Sequence, residues 1–163
     1  MYEMIKPIKI EKLQECLNIL KQGYEHTAVT FGMTEENCPY RGRTCLPYQV
    51  FEDEFKNGYL MYGYICNDEI VGFLSLLVEE EVMNINDIVI LPEYQNSGIG
   101  SQLMQFAIEK ADDLKCSRIK LGMVYDNLSL RNWYEKKGFQ TIKVIKFQTV
   151  NYTVGTMELI LVD

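Results

Sequence analysis

A strand that runs into a proline, and then into two glycines one residue apart, sets the tightest limit on this chain. Ile88-Val89-Ile90-Leu91 is apolar and β-branched, and Pro92 ends it. Glu93 to Ser97 is polar, and Gly98-Ile99-Gly100-Ser101 opens an apolar-periodic run. That order demands a strand, a tight turn and a helix in immediate succession. The first amides of a helix have no intrahelical partner, and the helix dipole adds partial positive charge there. Glycines at 98 and 100 remove the Cβ atoms that would keep an anion off the backbone. The turn therefore predicts a pyrophosphate-binding nest. Taken alone, it fits an ordinary strand-to-helix connection equally well. A dinucleotide fold is disfavoured because Leu103 stands where a third glycine belongs, and a Walker loop is excluded because no G-K-[ST] occurs.

The remaining elements follow from periodicity. Met1 to Lys9 alternates as a first strand, and Leu13, Cys16, Leu17 and Leu20 mark a helix from Glu11 to Gln22 that Gly23 stops. Tyr24 to Pro47 reads as a long loop, with one helical turn near Thr34-Glu35-Glu36. A loop of that length in a small domain is usually functional. Tyr48 to Lys56 is a short helix. Tyr59–Cys66, Ile70–Val78 and Val82–Leu91 form an antiparallel meander. Ile99, Leu103, Phe106, Ala107 and Leu114 trace a helix from Gly98 to Lys115. Arg118–Val124 is a strand, Asn127–Lys137 a helix, and Phe139–Val150 and Tyr152–Leu161 a closing hairpin around Asn151. The order βααβββαβαββ implies an α/β domain over residues 1–163, with about seven strands in one mixed, mostly antiparallel sheet and about four flanking helices.

Composition narrows the function class. The net charge is −7 and no basic run appears, so a nucleic-acid partner is not expected. An acidic balance favours a cationic acceptor such as a polyamine, an aminoglycoside or a protein amine. No stretch reaches the roughly 18 apolar residues of a membrane span. Five irregularly spaced cysteines do not form a disulfide framework, and with His26 as the one histidine no zinc set or Ser-His-Asp triad is legible. The expectation is a cytoplasmic protein with reduced thiols and no metal.

Two motifs together carry a resemblance. Gln95-Asn96-Ser97-Gly98-Ile99-Gly100 follows Pro92-Glu93-Tyr94, and about thirty residues later comes Asn127-Leu128-Ser129-Leu130-Arg131-Asn132-Trp133-Tyr134-Glu135-Lys136-Lys137-Gly138-Phe139. This pair resembles the Gcn-related N-acetyltransferase (GNAT) superfamily, over roughly Asn84 to Phe139. The resemblance implies an acetyl-CoA-dependent transfer of an acetyl group to a primary amine by direct attack, with acetyl-CoA as cosubstrate. It implies that the backbone of Ile88, Val89 and Ile90 holds the pantetheine arm in a gap between that strand and a splayed parallel neighbour. The amides from Gln95 through Asn96, Ser97, Gly98, Ile99 and Gly100 to Ser101 would hold the pyrophosphate. Asn127 would contact the cofactor, Lys136 or Lys137 would meet the 3′-phosphate, and Tyr134 would act as general acid on the departing thiolate. Many relatives are dimers, so a homodimer is expected.

Relatives often carry a glutamate where this chain has Asn86, which cannot act as a base. Asp87 is the adjacent candidate, although strand alternation sends it to the face opposite Asn86. Glu79, Glu80 and Glu81 are alternatives on a hairpin turn. Asn86, with Arg41 and Arg43 in the long loop, is a candidate for the acceptor pocket, the arginines as partners for an acceptor carboxylate. The missing glutamate keeps open an alternative, a non-catalytic acyl-CoA binding or sensing module.

Overall fold

The computed structural model describes residues 4–161. The strands are β1 (Ile5–Pro7), β2 (Leu60–Cys66), β3 (Glu69–Glu79), β4 (Val82–Ile90), β5 (Arg118–Val124), β6 (Gln140–Lys146) and β7 (Thr153–Ile160). The helices are α1 (Leu13–Thr30), α2 (Tyr48–Lys56), α3 (Ile99–Asp113) and α4 (Leu128–Lys136). The seven strands form one sheet in the order β1-β2-β3-β4-β5-β7-β6. Every neighbouring pair is antiparallel except β4 and β5. The element order read from the sequence is the order observed.

Two layers of side chains cover the sheet. On one face Leu74, Leu76, Met83, Ile85, Ile119, Leu121 and Met157 pack under Leu103, Met104, Ala107 and Tyr134 of α3 and α4. On the other, Phe73 and Val89 pack against Leu13, Leu17 and Leu20 of α1 and Phe51 of α2. A third, smaller cluster joins Ala28 at the end of α1 to Met33, Val150 and Tyr152. It ties the α1–α2 connection to the β6–β7 connection.

Helix α1 does not stop at Gly23 but continues to Thr30, so the irregular segment starts at Phe31. The glycine has a packing reason. A Cβ built on it would lie 2.7 Å from the Cβ of Val89, which no side chain tolerates. Its absence lets α1 lie directly on β4. Gly23→Ala gains up to about 1 kcal/mol of helix propensity but overpacks a backbone contact at a cost of about 1–3 kcal/mol. The expected result is a Tm lowered by a few degrees in differential scanning calorimetry, and a Tm at or above wild type would remove the contact as the reason for this glycine.

Two further expectations shift. The first strand is confined to Ile5–Pro7, with residues 1–3 outside the described range. The final strands stop at Lys146 and restart at Thr153, so their connection is longer than a tight hairpin at Asn151. Val150 and Tyr152 are buried in that connection, which makes it a packed segment rather than a turn.

Candidate functional site: a splayed strand pair with a glycine turn at its end

Strands β4 and β5 pair in parallel only from Val82↔Arg118 to Ile85↔Leu121. Beyond that point β4 keeps its bonds to β3, through Ile88↔Leu74 and Gly72↔Ile90, and β5 keeps its bonds to β7. From Asn86 to Ile90, one edge of β4 therefore lacks a strand neighbour. Unpaired strand amides and carbonyls inside a sheet require another partner. An extended ligand carrying its own amides is suited to such a gap, as the resemblance implied for Ile88, Val89 and Ile90.

The turn at the end of β4 is built as a nest. Asn96 and Gly98 both have left-handed backbones, at φ 60° and 88°. The Gln95 side-chain amide donates to Ile90 O at 3.2 Å, and Ser97 Oγ donates to Tyr94 O, so the turn is fastened to the strand. Among the described residues, the first amide past Gln95 to find a carbonyl is that of Gln102, which donates to Gly98 O. The amides of Asn96 to Ser101 are left for a ligand, at the positive end of a 15-residue helix. A Cβ at Gly98 would meet nothing within 4 Å, so the space above this turn is open. At Gly100 a Cβ would touch Ile90 Cδ1 at 3.4 Å and Trp133 Cζ2 at 3.5 Å, so Gly100 seats α3 against β4 and α4. Lys137 sets a cation at the first turn of α3, with its Nζ 2.8 Å from Ser101 Oγ and lying over the Trp133 ring. Lys136 is exposed on the last turn of α4. Open space, free amides and one lysine fit a pyrophosphate group.

Asn127 caps α4, its side-chain oxygen accepting from Leu130 N at 3.2 Å. Tyr134, two turns along α4, is buried between Trp133 and Phe139, with ring centroids 5.2 and 5.7 Å away. Burial pushes its phenol pKa upward, so it holds its proton at neutral pH.

Asp87 breaks the expected alternation. The β3–β4 register shifts between Ser75 and Leu76, so Ser75 faces Asp87 while Leu76 faces Ile85 and Asn86 is the extra residue. A bulge of this kind turns the strand. Met83 and Ile85 lie in the α3–α4 layer, whereas Val89 lies in the α1–α2 layer. Asn86 and Asp87 do not point to opposite faces, since Asn86 Nδ2 donates to Asp87 Oδ2 at 3.3 Å. Asp87 is 1 % exposed, deep enough for its ionisation to depend on its partners. Tyr24 Oη donates to Oδ1 at 3.1 Å, and Arg43 donates from Nη2 to Oδ2 at 2.9 Å with its Nε 2.8 Å from Oδ1. Burial raises the Asp87 pKa, Arg43 opposes the rise and Glu54 adds to it, leaving it at about 6.

The arginines of the long loop are engaged by the chain itself. Arg43 makes paired hydrogen bonds to Glu54, at 3.1 and 2.8 Å, besides its contacts with Asp87. Burial works against its charge and is outweighed by Glu54 and Asp87, so its pKa is raised. Arg41 pairs with Glu25 at 2.8 Å and donates from Nε to Met33 O. Neither guanidinium stands open as the expected partner for an acceptor carboxylate. Tyr40, Arg41, Gly42 and Arg43 form a left-handed run, with φ of 51°, 48°, 61° and 79°. Each non-glycine residue in that region costs about 1 kcal/mol or more, so the loop relies on these ion pairs to hold its shape.

Tyr24 and Glu54 were not singled out by the sequence. Glu54 had a legible signal, because it falls three residues after the fully buried Phe51 and so places a carboxylate on the apolar side of α2. Tyr24 was hidden by reading Gly23 as a helix stop. Among the other weighed residues, His26 is exposed and contacts Thr30 at 3.4 Å. Glu79 accepts from Asn84 and lines a groove of about 340 Å³ with Asn86, Lys120 and Gly122, running from the point where β4 and β5 part. All five cysteines are free, and no helix among the described residues is long and apolar enough to cross a membrane.

A family model described as the acetyltransferase (GNAT) family matches residues 20–139. The chain belongs to the GNAT family. It is 30% identical over 147 residues to an uncharacterised N-acetyltransferase encoded in the pepI 3′ region of Lactobacillus delbrueckii subsp. lactis, covering 82% of each chain. A match to YdhI of Bacillus subtilis is 32% identical over 75 residues, so the aligned part spans 44% of the length of that relative. Among solved structures, the PaiA N-acetyltransferase of Thermoplasma acidophilum in complex with coenzyme A superposes with a TM-score of 0.75 at 18% identity, covering 96% of this chain and 98% of that one. The GNAT chain described here is an acetyl-CoA-dependent acyltransferase by family, and its splayed strands and open turn suit that cosubstrate.

Proposed function

We propose that this GNAT protein transfers the acetyl group of acetyl-CoA to a primary amine by direct attack, with Asp87 as the final proton acceptor and Tyr134 as the proton donor to sulfur. The observation that carries the reading is the position of Asp87, a buried carboxylate two residues past the last β4–β5 pair, where the two strands part. Bound acetyl-CoA would supply the activated acetyl group. The amides of Asn96 to Ser101, with Lys137, would hold its phosphates, and the open edge of β4 its pantetheine arm. Asn127 would orient it from the cap of α4.

The acceptor must lose a proton before or during attack, because an alkyl ammonium has a pKa near ~10. A carboxylate poised at about 6 is ionised at neutral pH and keeps more proton affinity than an exposed aspartate. The groove is lined by Asn86, Asn84, Glu79 and Lys120, and its asparagine oxygens and Glu79 carboxylate are the groups that a cationic acceptor such as a polyamine or a protein amine would meet.

The test is thiol release from acetyl-CoA across amine classes, with mass spectrometry of the products. Acetylated amine is expected, with kcat falling as the pH drops below about 6, because protonated Asp87 cannot accept. A rate that stays flat through that range would remove Asp87 as the acceptor. One observation favours the binding-only reading. Asp87 is already served by Tyr24, Arg43 and Asn86, as a purely structural carboxylate would be. Coenzyme A binding without thiol release for any amine would decide for it.

A further inference from the structure

We infer that Tyr24 is a catalytic residue that touches the acceptor nitrogen and relays its proton to Asp87. The inference rests on the acetyl-transfer reading above and gives Tyr24 a role in the reaction that that reading does not assign. Three observations place Tyr24 there. Its hydroxyl already donates to Asp87 Oδ1 at 3.1 Å, so both lone pairs of the phenol oxygen face elsewhere. The residue is half-buried and packs against the layer that holds Val89, on the side of the sheet that α1 covers. Asp87, its partner, lies two residues past the last β4–β5 pair, where the two strands part. Tyr24 thus joins Asp87 at the gap where β4 leaves β5.

The bare α carbon of Gly23 is what brings α1 down onto Val89, two residues beyond Asp87 on β4. With a side chain at position 23 the phenol one residue on would be lifted away from the carboxylate. Asp87 itself is enclosed. Arg43 covers both its oxygens and Asn86 covers Oδ2, which leaves the Tyr24 hydroxyl as the one neutral O–H bonded to it among the described residues. A proton can reach Asp87 through that bond without displacing the arginine.

The transfer balances as follows. An N–H bond of the acceptor ammonium breaks and an O–H bond forms on Tyr24 Oη. The Tyr24 O–H aimed at Asp87 breaks, and its proton goes to Oδ1. The phenol ends neutral, as it began, and Asp87 ends as a carboxylic acid. The nitrogen keeps the electron pair and forms the new bond to the acetyl carbon. The C–S bond breaks, the sulfur takes the Tyr134 proton, and the second N–H proton of the acetylated nitrogen passes through solvent to restore the Tyr134 phenol, leaving a neutral amide.

Tyr24→Phe retains the ring and removes only the hydroxyl. Three acceptor probes are used, namely ethylamine, spermidine and a tetrapeptide with a free amino terminus, each with acetyl-CoA. Near neutral pH, kcat is expected to fall about 100-fold for every probe that wild type acetylates, with coenzyme A affinity and Tm unchanged. The groups facing Tyr24 are Asp87, Arg43 and Tyr134, with Glu54 and Tyr59 bearing on Asp87 and Arg43. The loss should narrow as pH rises from about 7 to about 9, because hydroxide then takes the proton that Asp87 no longer receives. In an Asp87→Asn background that still folds, adding Tyr24→Phe should cost less than about threefold, because two members of one relay are not additive. If Asp87→Asn does not fold, the narrowing with pH decides alone. An unchanged rate, a loss that is constant with pH, or full additivity overturns the relay while leaving acetyl transfer standing. Wild type that releases no thiol with any probe removes the acetyl-transfer reading, and the relay with it.

Discussion

Alanine at position 98 is expected to weaken coenzyme A binding about 100-fold, which corresponds to about 2.7 kcal/mol. The turn exposes a row of amides, and each charge-assisted hydrogen bond from such a group is worth about 1.5–3 kcal/mol. A methyl group on Gly98 projects into the open space above the turn, where nothing in the protein lies within 4 Å, so it meets the phosphate and not the fold. The left-handed backbone at φ 88° adds a penalty of about 1–2 kcal/mol for any residue with a Cβ. That penalty lowers stability by itself, so a control is needed. Gly58, which follows the end of α2, has φ 94° and equally open space. Gly58→Ala should therefore lose similar stability and no affinity. Calorimetric titration with coenzyme A and with 3′-dephospho-coenzyme A should show the same loss for both ligands in Gly98→Ala, since both carry the pyrophosphate. Equal affinity in the Gly98 and Gly58 variants would take the phosphate site away from this turn.

The second large effect is expected at Tyr134. Its ring is packed between Trp133 and Phe139, so phenylalanine fills the same volume and the Tm should hold within a degree or two. Only the hydroxyl is lost. Burial keeps that hydroxyl protonated, which is the state a proton donor needs. The departing thiolate has a conjugate acid of pKa near ~8.5, below that of the phenol, so full transfer is uphill by itself and is drawn on by departure of the thiol, with the donated hydrogen bond strongest as negative charge gathers on sulfur. The contribution therefore belongs to the transition state, and Tyr134→Phe should lower kcat about 100-fold with coenzyme A affinity unchanged. Equal kinetics would pass the donor role to another group. Reduced affinity with kcat unchanged would make Tyr134 a binding residue.

The donor half of the proposed site left a local pattern in the sequence, because it depends on local chemistry. A phosphate nest needs glycine at a helix start, and Gly98 and Gly100 mark it in the sequence whatever packs around them. Asn127 and Tyr134 lie on one short helix at fixed spacing, so one motif located both. The acceptor half was not legible, because it depends on packing between distant segments. Strand alternation misplaced Asp87 for want of one inserted residue, and a bulge is set by the pairing of β3 with β4 rather than by Asn86 alone. Gly23 reads as a stop in one dimension and as a contact with Val89 in three. The arginines at 41 and 43 looked available for a ligand because their partners, Glu25, Glu54 and Asp87, sit on α1, α2 and β4. The periodicity of α2 did hold one unused clue, the carboxylate of Glu54 beside the buried Phe51.

The left-handed run at Tyr40 to Arg43 has a consequence for anyone redesigning this enzyme. Its last residue grips Asp87, and Glu54 grips that residue in turn, so the loop shape and the electrostatics around the proposed proton acceptor form one mechanical unit. Acceptor preference and turnover cannot then be varied independently by exchanging residues 31–47. A graft from another acetyltransferase that changes the loop also changes the charge beside Asp87, and can come back inactive for reasons unrelated to fit. Libraries that fix Arg43 and Glu54 and vary the rest of the loop should retain far more active members than libraries that exchange the whole segment.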